Sequence, residues 1–166
     1  FKNCYIEGNT DYIFGDATVL FESCELRSKT NSYITAASTP KDQTFGYVFK
    51  NCKLTADENV TEVYLGRPWR MYAKTVFIEC DMGNHIKPEG WHNWSNIEAE
   101  LTTLYAEYNC KGEGYKPESR VPWAYQLKKS KSKKGWNVTP VTVLAQRTRV
   151  QLKHVTLVRA QAMYDR

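Results

Sequence analysis

Apolar and polar residues alternate over short stretches that recur along the chain up to about residue 108, the period expected of half-buried strands. Four recurrences share one signature, a Phe followed three residues later by Cys and then by an aliphatic residue or Met two further on. They are Phe1-Lys2-Asn3-Cys4-Tyr5-Ile6, Phe21-Glu22-Ser23-Cys24-Glu25-Leu26, Phe49-Lys50-Asn51-Cys52-Lys53-Leu54 and Phe77-Ile78-Glu79-Cys80-Asp81-Met82. The Phe positions are 20, 28 and 28 residues apart, and a further 28 reaches Tyr105 in Tyr105-Ala106-Glu107-Tyr108, read as a degenerate fifth copy. Polar segments containing Gly or Asn follow each copy and supply the turns. One strand signature per 20 to 28 residues is the mark of a solenoid. Leucine-rich and ankyrin repeats need helical halves, yet there is no Leu-x-x-Leu-x-Leu pattern and little helical periodicity before residue 116. The expected fold is therefore all-β, a parallel β-helix. Residue 1 falls inside a coil strand, so the chain is expected to begin part-way through the solenoid.

Stacked coils place equivalent residues about 4.8 Å apart, so the Phe and Cys positions should form internal ladders filling a narrow core. The cysteines are accordingly read as packing residues. A disulfide framework needs paired rather than laddered cysteines, and a zinc site needs Cys-x-x-Cys or Cys/His clusters that the sequence lacks.

Composition adds exclusions. With 166 residues and 42% hydrophobic content, the chain has the size of one globular domain. No apolar run approaches the roughly 18 residues of a membrane span, because charged residues or Asn interrupt each one. The net charge of +5 is segregated: residues 128–166 hold ten basic residues and one acid, Asp165, whereas the preceding residues hold 13 basic to 17 acidic. A nucleic-acid role would rest on the run Lys128-Lys129-Ser130-Lys131-Ser132-Lys133-Lys134 alone, and such runs are mostly solvated. No nucleic-acid partner is expected. The three histidines, His85, His92 and His154, have neither metal-ligand spacing nor a nearby Ser elbow, and no Gly-rich phosphate loop is present, which disfavours a Ser-His-Asp hydrolase and nucleotide chemistry.

Two segments set charge among aromatics: Gly8-Asn9-Thr10-Asp11-Tyr12-Ile13-Phe14-Gly15 and Tyr64-Leu65-Gly66-Arg67-Pro68-Trp69. An aromatic surface with one acid and one base suits a sugar polymer. Asp11, Thr39 and Arg67 each lie ten residues before a repeat Phe, which puts them in one column with Asp11 and Arg67 two coils apart. Two coils are about 10 Å, a gap that a guanidinium reaching toward a carboxylate largely closes. Arg67 and Trp69, two apart, should share a strand face.

The combination of Phe1-x-x-Cys4-x-Ile6-x-Gly8-x-x-Asp11-Tyr12-Ile13-Phe14-Gly15-x-Ala17, Tyr33-Ile34-Thr35-Ala36, Leu65-Gly66-Arg67-Pro68-Trp69 and Gly90-Trp91-x-x-Trp94 resembles the pectin methylesterases, or pectinesterases. The resemblance continues through Thr103-Leu104-Tyr105-Ala106-Glu107-Tyr108 and Ser119-Arg120-Val121-Pro122-Trp123 and covers residues 1–127. It implies a right-handed parallel β-helix that hydrolyses the methyl esters of galacturonate units in pectin, with no metal or organic cofactor. Asp11 would be the nucleophile, Arg67 would hold and orient its carboxylate, Trp69 would stack on a sugar ring, and Phe14 would help line the groove. The partner implied is methyl-esterified homogalacturonan, met by a monomer in a secreted or periplasmic setting, with no membrane contact.

An ionised carboxylate can attack an ester carbonyl, giving an anhydride that water opens. A second carboxyl group must then protonate the departing methoxide, and donors must stabilise the oxyanion. In the family these groups, an acid/base Asp and an oxyanion Gln, lie upstream of the nucleophile motif. This sequence starts ten residues before Asp11, so the chain is expected to be the C-terminal part of a catalytic domain and nearly inactive alone. Residues 128–166 are read as a basic linker and an unassigned extension in which Val141-Thr142-Val143-Leu144 and Val150–Val158 could form strands. Two other readings stay open: a non-catalytic β-helix binding an acidic polysaccharide, and a pectate lyase, although the clustered acids a lyase uses for calcium are not visible.

Overall fold

The computed structural model describes residues 1–128 and the short antiparallel pair Ser130–Lys131 with Asn137–Val138. The expected tail strands and the proposed 128–166 extension otherwise lie outside the described residues. Twelve strands precede that pair: β1 (Tyr5–Gly8), β2 (Ile13–Gly15), β3 (Val19–Glu22), β4 (Glu25–Ser28), β5 (Tyr33–Ala37), β6 (Tyr47–Lys50), β7 (Lys53–Ala56), β8 (Tyr64–Pro68), β9 (Lys74–Ile78), β10 (Asp81–Met82), β11 (Leu104–Tyr108) and β12 (Tyr125–Gln126). A one-turn helix, α1 (Ile97–Glu100), lies between β10 and β11. Successive strands join three different parallel sheets, ordered β1-β4-β7-β10, β3-β6-β9-β11-β12 and β2-β5-β8. That is a parallel β-helix of three-sided coils, as the repeat predicts, and right-handed, as the resemblance implies.

The ladders are present. Phe21, Phe49 and Phe77 are in direct register in β3, β6 and β9. With Phe1 they form a stack with ring centroids 5.2, 4.6 and 4.5 Å apart. Cys24, Cys52, Cys80 and Cys110 are buried free thiols. The Sγ of Cys52, Cys80 and Cys110 faces the carbonyl of the Phe one coil back, at 3.5 to 3.6 Å. The residue before each ladder cysteine, namely Asn3, Ser23, Asn51, Glu79 and Asn109, has φ between 47° and 54°. This left-handed corner turns the chain from one sheet to the next, and Asn tolerates it better than most residues. Ile6, Leu26, Leu54 and Met82 form the parallel apolar column on the adjoining sheet.

The fifth copy departs from expectation. In β11 it is Glu107 that pairs with Phe77, while Tyr105 pairs with Thr75. The true fifth copy is therefore Glu107-Tyr108-Asn109-Cys110, two residues later than the 28-residue spacing suggests. The aromatic column is carried on by Trp91, which stacks on Tyr105 at 4.3 Å and tilts against Phe77 at 5.9 Å. Glu107 is buried and paired with Arg120.

His85 is 3% exposed and its Nε2 has no partner. Burial alone pushes its pKa down to about 4. The unfolded chain, with an ordinary value near 6.5, therefore binds more protons than the folded one between those values. Stability is fully present above pH ~6.5 and falls as pH drops toward ~4, by about 3 kcal/mol at the lower end. Urea midpoints at pH 7 and pH 4.5 should differ less in His85→Leu than in wild type; parallel pH responses would remove His85 as the cause.

Candidate active site

The β2-β5-β8 sheet carries the charged and aromatic residues of interest. Gly8, the last residue of β1, must be glycine, because a Cβ there would lie 2.3 Å from the Tyr12 Cβ. Tyr12 packs inward, its hydroxyl 3.2 Å from Ser28 Oγ. Asp11, one residue earlier, takes φ 50° and donates its N–H to the Tyr33 carbonyl at 2.8 Å. Its carboxylate is left on the outer side of the sheet.

Arg67 reaches that carboxylate from two coils away. Its column in the sheet is Phe14–Ala36–Arg67, not the Asp11–Thr39–Arg67 column expected from counting back to the Phe residues. The count fails because the connections between this sheet and the Phe sheet differ in length: Phe14, Ala36 and Arg67 precede their Phe by 7, 13 and 10 residues. Ala36, between the two, presents only a methyl group, so the guanidinium passes over it. The preceding position must be glycine, since a Cβ on Gly66 would fall 2.0 Å from Thr35 Oγ1, whose hydroxyl donates to the Leu65 carbonyl at 2.9 Å.

The result is a two-pronged ion pair. Arg67 Nε donates to Asp11 Oδ1 at 3.0 Å, and Nη2 donates to Oδ2. The pair is largely screened from water, with side chains 14% and 20% exposed. The guanidinium lies against two rings, 4.5 Å from the centroid of Tyr33 and 4.0 Å from that of Trp94. Phe14 and Trp69 meet at 5.4 Å and stay partly exposed. Together Thr10, Asp11, Phe14, Ala36, Arg67, Trp69 and Trp94 line a cleft of about 320 Å³.

All four residues singled out in the sequence, Asp11, Phe14, Arg67 and Trp69, thus line one cleft. Sequence reasoning assigned no role to Tyr33 or Trp94, the two rings on Arg67. Trp94 arrives on the long excursion between β10 and β11, and its only sequence signal is the pair Trp91 and Trp94. Chemically, the guanidinium fixes the plane of the carboxylate, and the flanking aromatic faces suit the apolar face of a sugar ring. Among the described residues lining the cleft, Asp11 is the sole carboxylate.

Comparison with known proteins gives a consistent result. A family model described as Pectinesterase matches residues 1–146, a match that continues past residue 127. Pectinesterase 31 of Arabidopsis thaliana is 42% identical over 127 residues, covering 76% of this chain and 40% of that protein. Among solved structures, pectin methylesterase from carrot superposes with a TM-score of 0.74 at 30% identity, covering 89% of this chain and 50% of that one. A pectin methylesterase from Aspergillus niger gives 0.70 at 36% identity, covering 87% and 46%. The chain spans less than half the length of the curated relative it matches.

Proposed function

The chain belongs to the pectinesterase family, and from that premise we propose that its cleft holds the nucleophile half of an active site removing methyl esters from galacturonate units of pectin. The observation that supports this most strongly is the two-pronged Asp11–Arg67 pair on the floor of an aromatic cleft.

In this proposal an Asp11 oxygen attacks the ester carbonyl carbon, and the tetrahedral intermediate collapses by breaking the bond to the methoxy oxygen. The leaving methoxide takes a proton from a second carboxylic acid and departs as methanol. Water, giving a proton to the same group, then opens the anhydride and restores the Asp11 carboxylate. Arg67 holds the attacking oxygen in line, while Trp69 and Phe14 offer ring faces to the sugar. Because Asp11 is the sole carboxylate among the described residues of the cleft, the proton donor and the oxyanion donors are assigned to residues outside this set. The substrate is a cell-wall polymer, so the setting proposed is extracellular or periplasmic and the acting unit a monomer. Among the described residues no helix is long and apolar enough to cross a membrane.

The lone carboxylate also favours a second reading, a module that binds acidic polysaccharide without cleaving it. Highly methylated pectin separates the two when offered to the longest translation product that contains this chain. Methanol release is the expected result. Saturable binding without methanol would put the binding module in its place, and an unsaturated product absorbing in the ultraviolet would indicate a lyase.

A further inference from the structure

Both rings that lie against the Arg67 guanidinium lead to one atom. The Tyr33 hydroxyl lies 3.3 Å from His92 Nδ1, and the backbone N–H of Trp94 donates to the same Nδ1 at 3.1 Å. An Nδ1 that accepts from a backbone N–H carries no proton, so this contact requires neutral His92 with its hydrogen on Nε2. His92 is itself well placed to act as an anchor. Its backbone N–H donates to the Gly66 carbonyl at 3.2 Å, next to Arg67, and its ring packs on Tyr64 and Tyr33 with centroids at 5.2 and 5.8 Å.

The segment it holds needs holding. Trp94 and Ser95 have φ of 51° and 59°, a left-handed conformation that is unfavourable for a bulky Trp. Trp94 is 50% exposed, so burial does little to fix it. Beyond His92, the segment is tied down by Asn93, whose Oδ1 accepts from Ser95 N–H at 2.9 Å and whose Nδ2 donates to Glu100 Oε1 at 2.6 Å. Those contacts set the far side of the turn, not the ring that faces Arg67.

We infer that His92 is a positioning residue for the Asp11–Arg67 pair: through one unprotonated ring nitrogen it fixes Tyr33 and Trp94 against the guanidinium. This rests on the esterase reading for its catalytic consequence.

The test uses His92→Ala, which removes the acceptor, and His92→Asn, whose Oδ1 takes the place of Nδ1. Both are made in the longest translation product containing the chain, and methanol release is followed. Alanine should lower kcat by about tenfold or more with little change in KM, since misplacing a reacting group costs rate rather than affinity. Asparagine should restore kcat. Thermal midpoints identify any variant that merely fails to fold. The resonance of the Arg67 Nε proton, shifted by the two rings, reads position without reference to activity: it should move in the alanine variant and not in the asparagine one. An unmoved Arg67 resonance in His92→Ala, or asparagine behaving like alanine, overturns the inference. A wild type that releases no methanol while the resonances behave as expected leaves the positioning intact and overturns the esterase reading instead.

Discussion

Asp11→Asn should reduce methanol release by at least about 10⁴-fold, because an amide oxygen carries no charge to form the anhydride and no other group in the described cleft can replace it. The substitution is nearly isosteric, and the Asn Oδ1 can still accept one of the two Arg67 hydrogens, so the fold and the cleft should survive. Pectin binding should therefore persist in the variant, which separates loss of the nucleophile from loss of the site. A companion change, Arg67→Lys, keeps the positive charge but removes the second prong and the flat surface held against Tyr33 and Trp94. A loss of about 10²-fold is expected there, the scale of misaiming a reacting group. Methanol release by purified variants decides both; an active Asp11→Asn would remove the nucleophile assignment outright.

Arg120→Met should be strongly destabilising. Glu107 and Arg120 have side chains 0% and 2% exposed, and Arg120 donates to both carboxylate oxygens, at 2.9 and 3.1 Å. It also donates to the carbonyls of Lys87, Pro88 and Gly114. Removing one member of a buried pair strands the other's charge and costs about 3–5 kcal/mol, roughly a 6 to 20 °C fall in Tm for a domain of this size. Replacing both members is usually far milder. Here Glu107→Phe with Arg120→Met would extend the Phe ladder by one ring, but it takes the donor from the Pro88 and Gly114 carbonyls, so only part of the loss should return. Thermal unfolding of the single and double variants measures this, and an Arg120→Met protein melting with wild type would show that the pair contributes little.

The same pair explains where the sequence misleads. The 28-residue spacing and an aromatic residue both pointed to Tyr105, yet the ladder position is Glu107, and nothing in a local pattern says that a carboxylate can stand in a column of phenyl rings. Its partner Arg120 comes from a connection after β11, visible only once the chain is folded. The earlier copies were legible because Phe, the left-handed corner and Cys repeat with few substitutions. The Asp11–Arg67 contact was legible as a juxtaposition but not as a register, since the loops joining the sheets vary in length. Tyr33 and Trp94, though part of the motifs quoted, were given no role for a related reason: that role depends on the shared His92 nitrogen, on a segment outside the repeat.

The ion pair joins the first coil to the third, so its two halves are separated by two axial rises of about 4.8 Å each. A load that stretched the solenoid along its axis would add its extension over both rises and draw the carboxylate away from the guanidinium while each coil kept its own shape. The reach that the pair must span is thus set by the pitch of the helix rather than by the shape of any one coil.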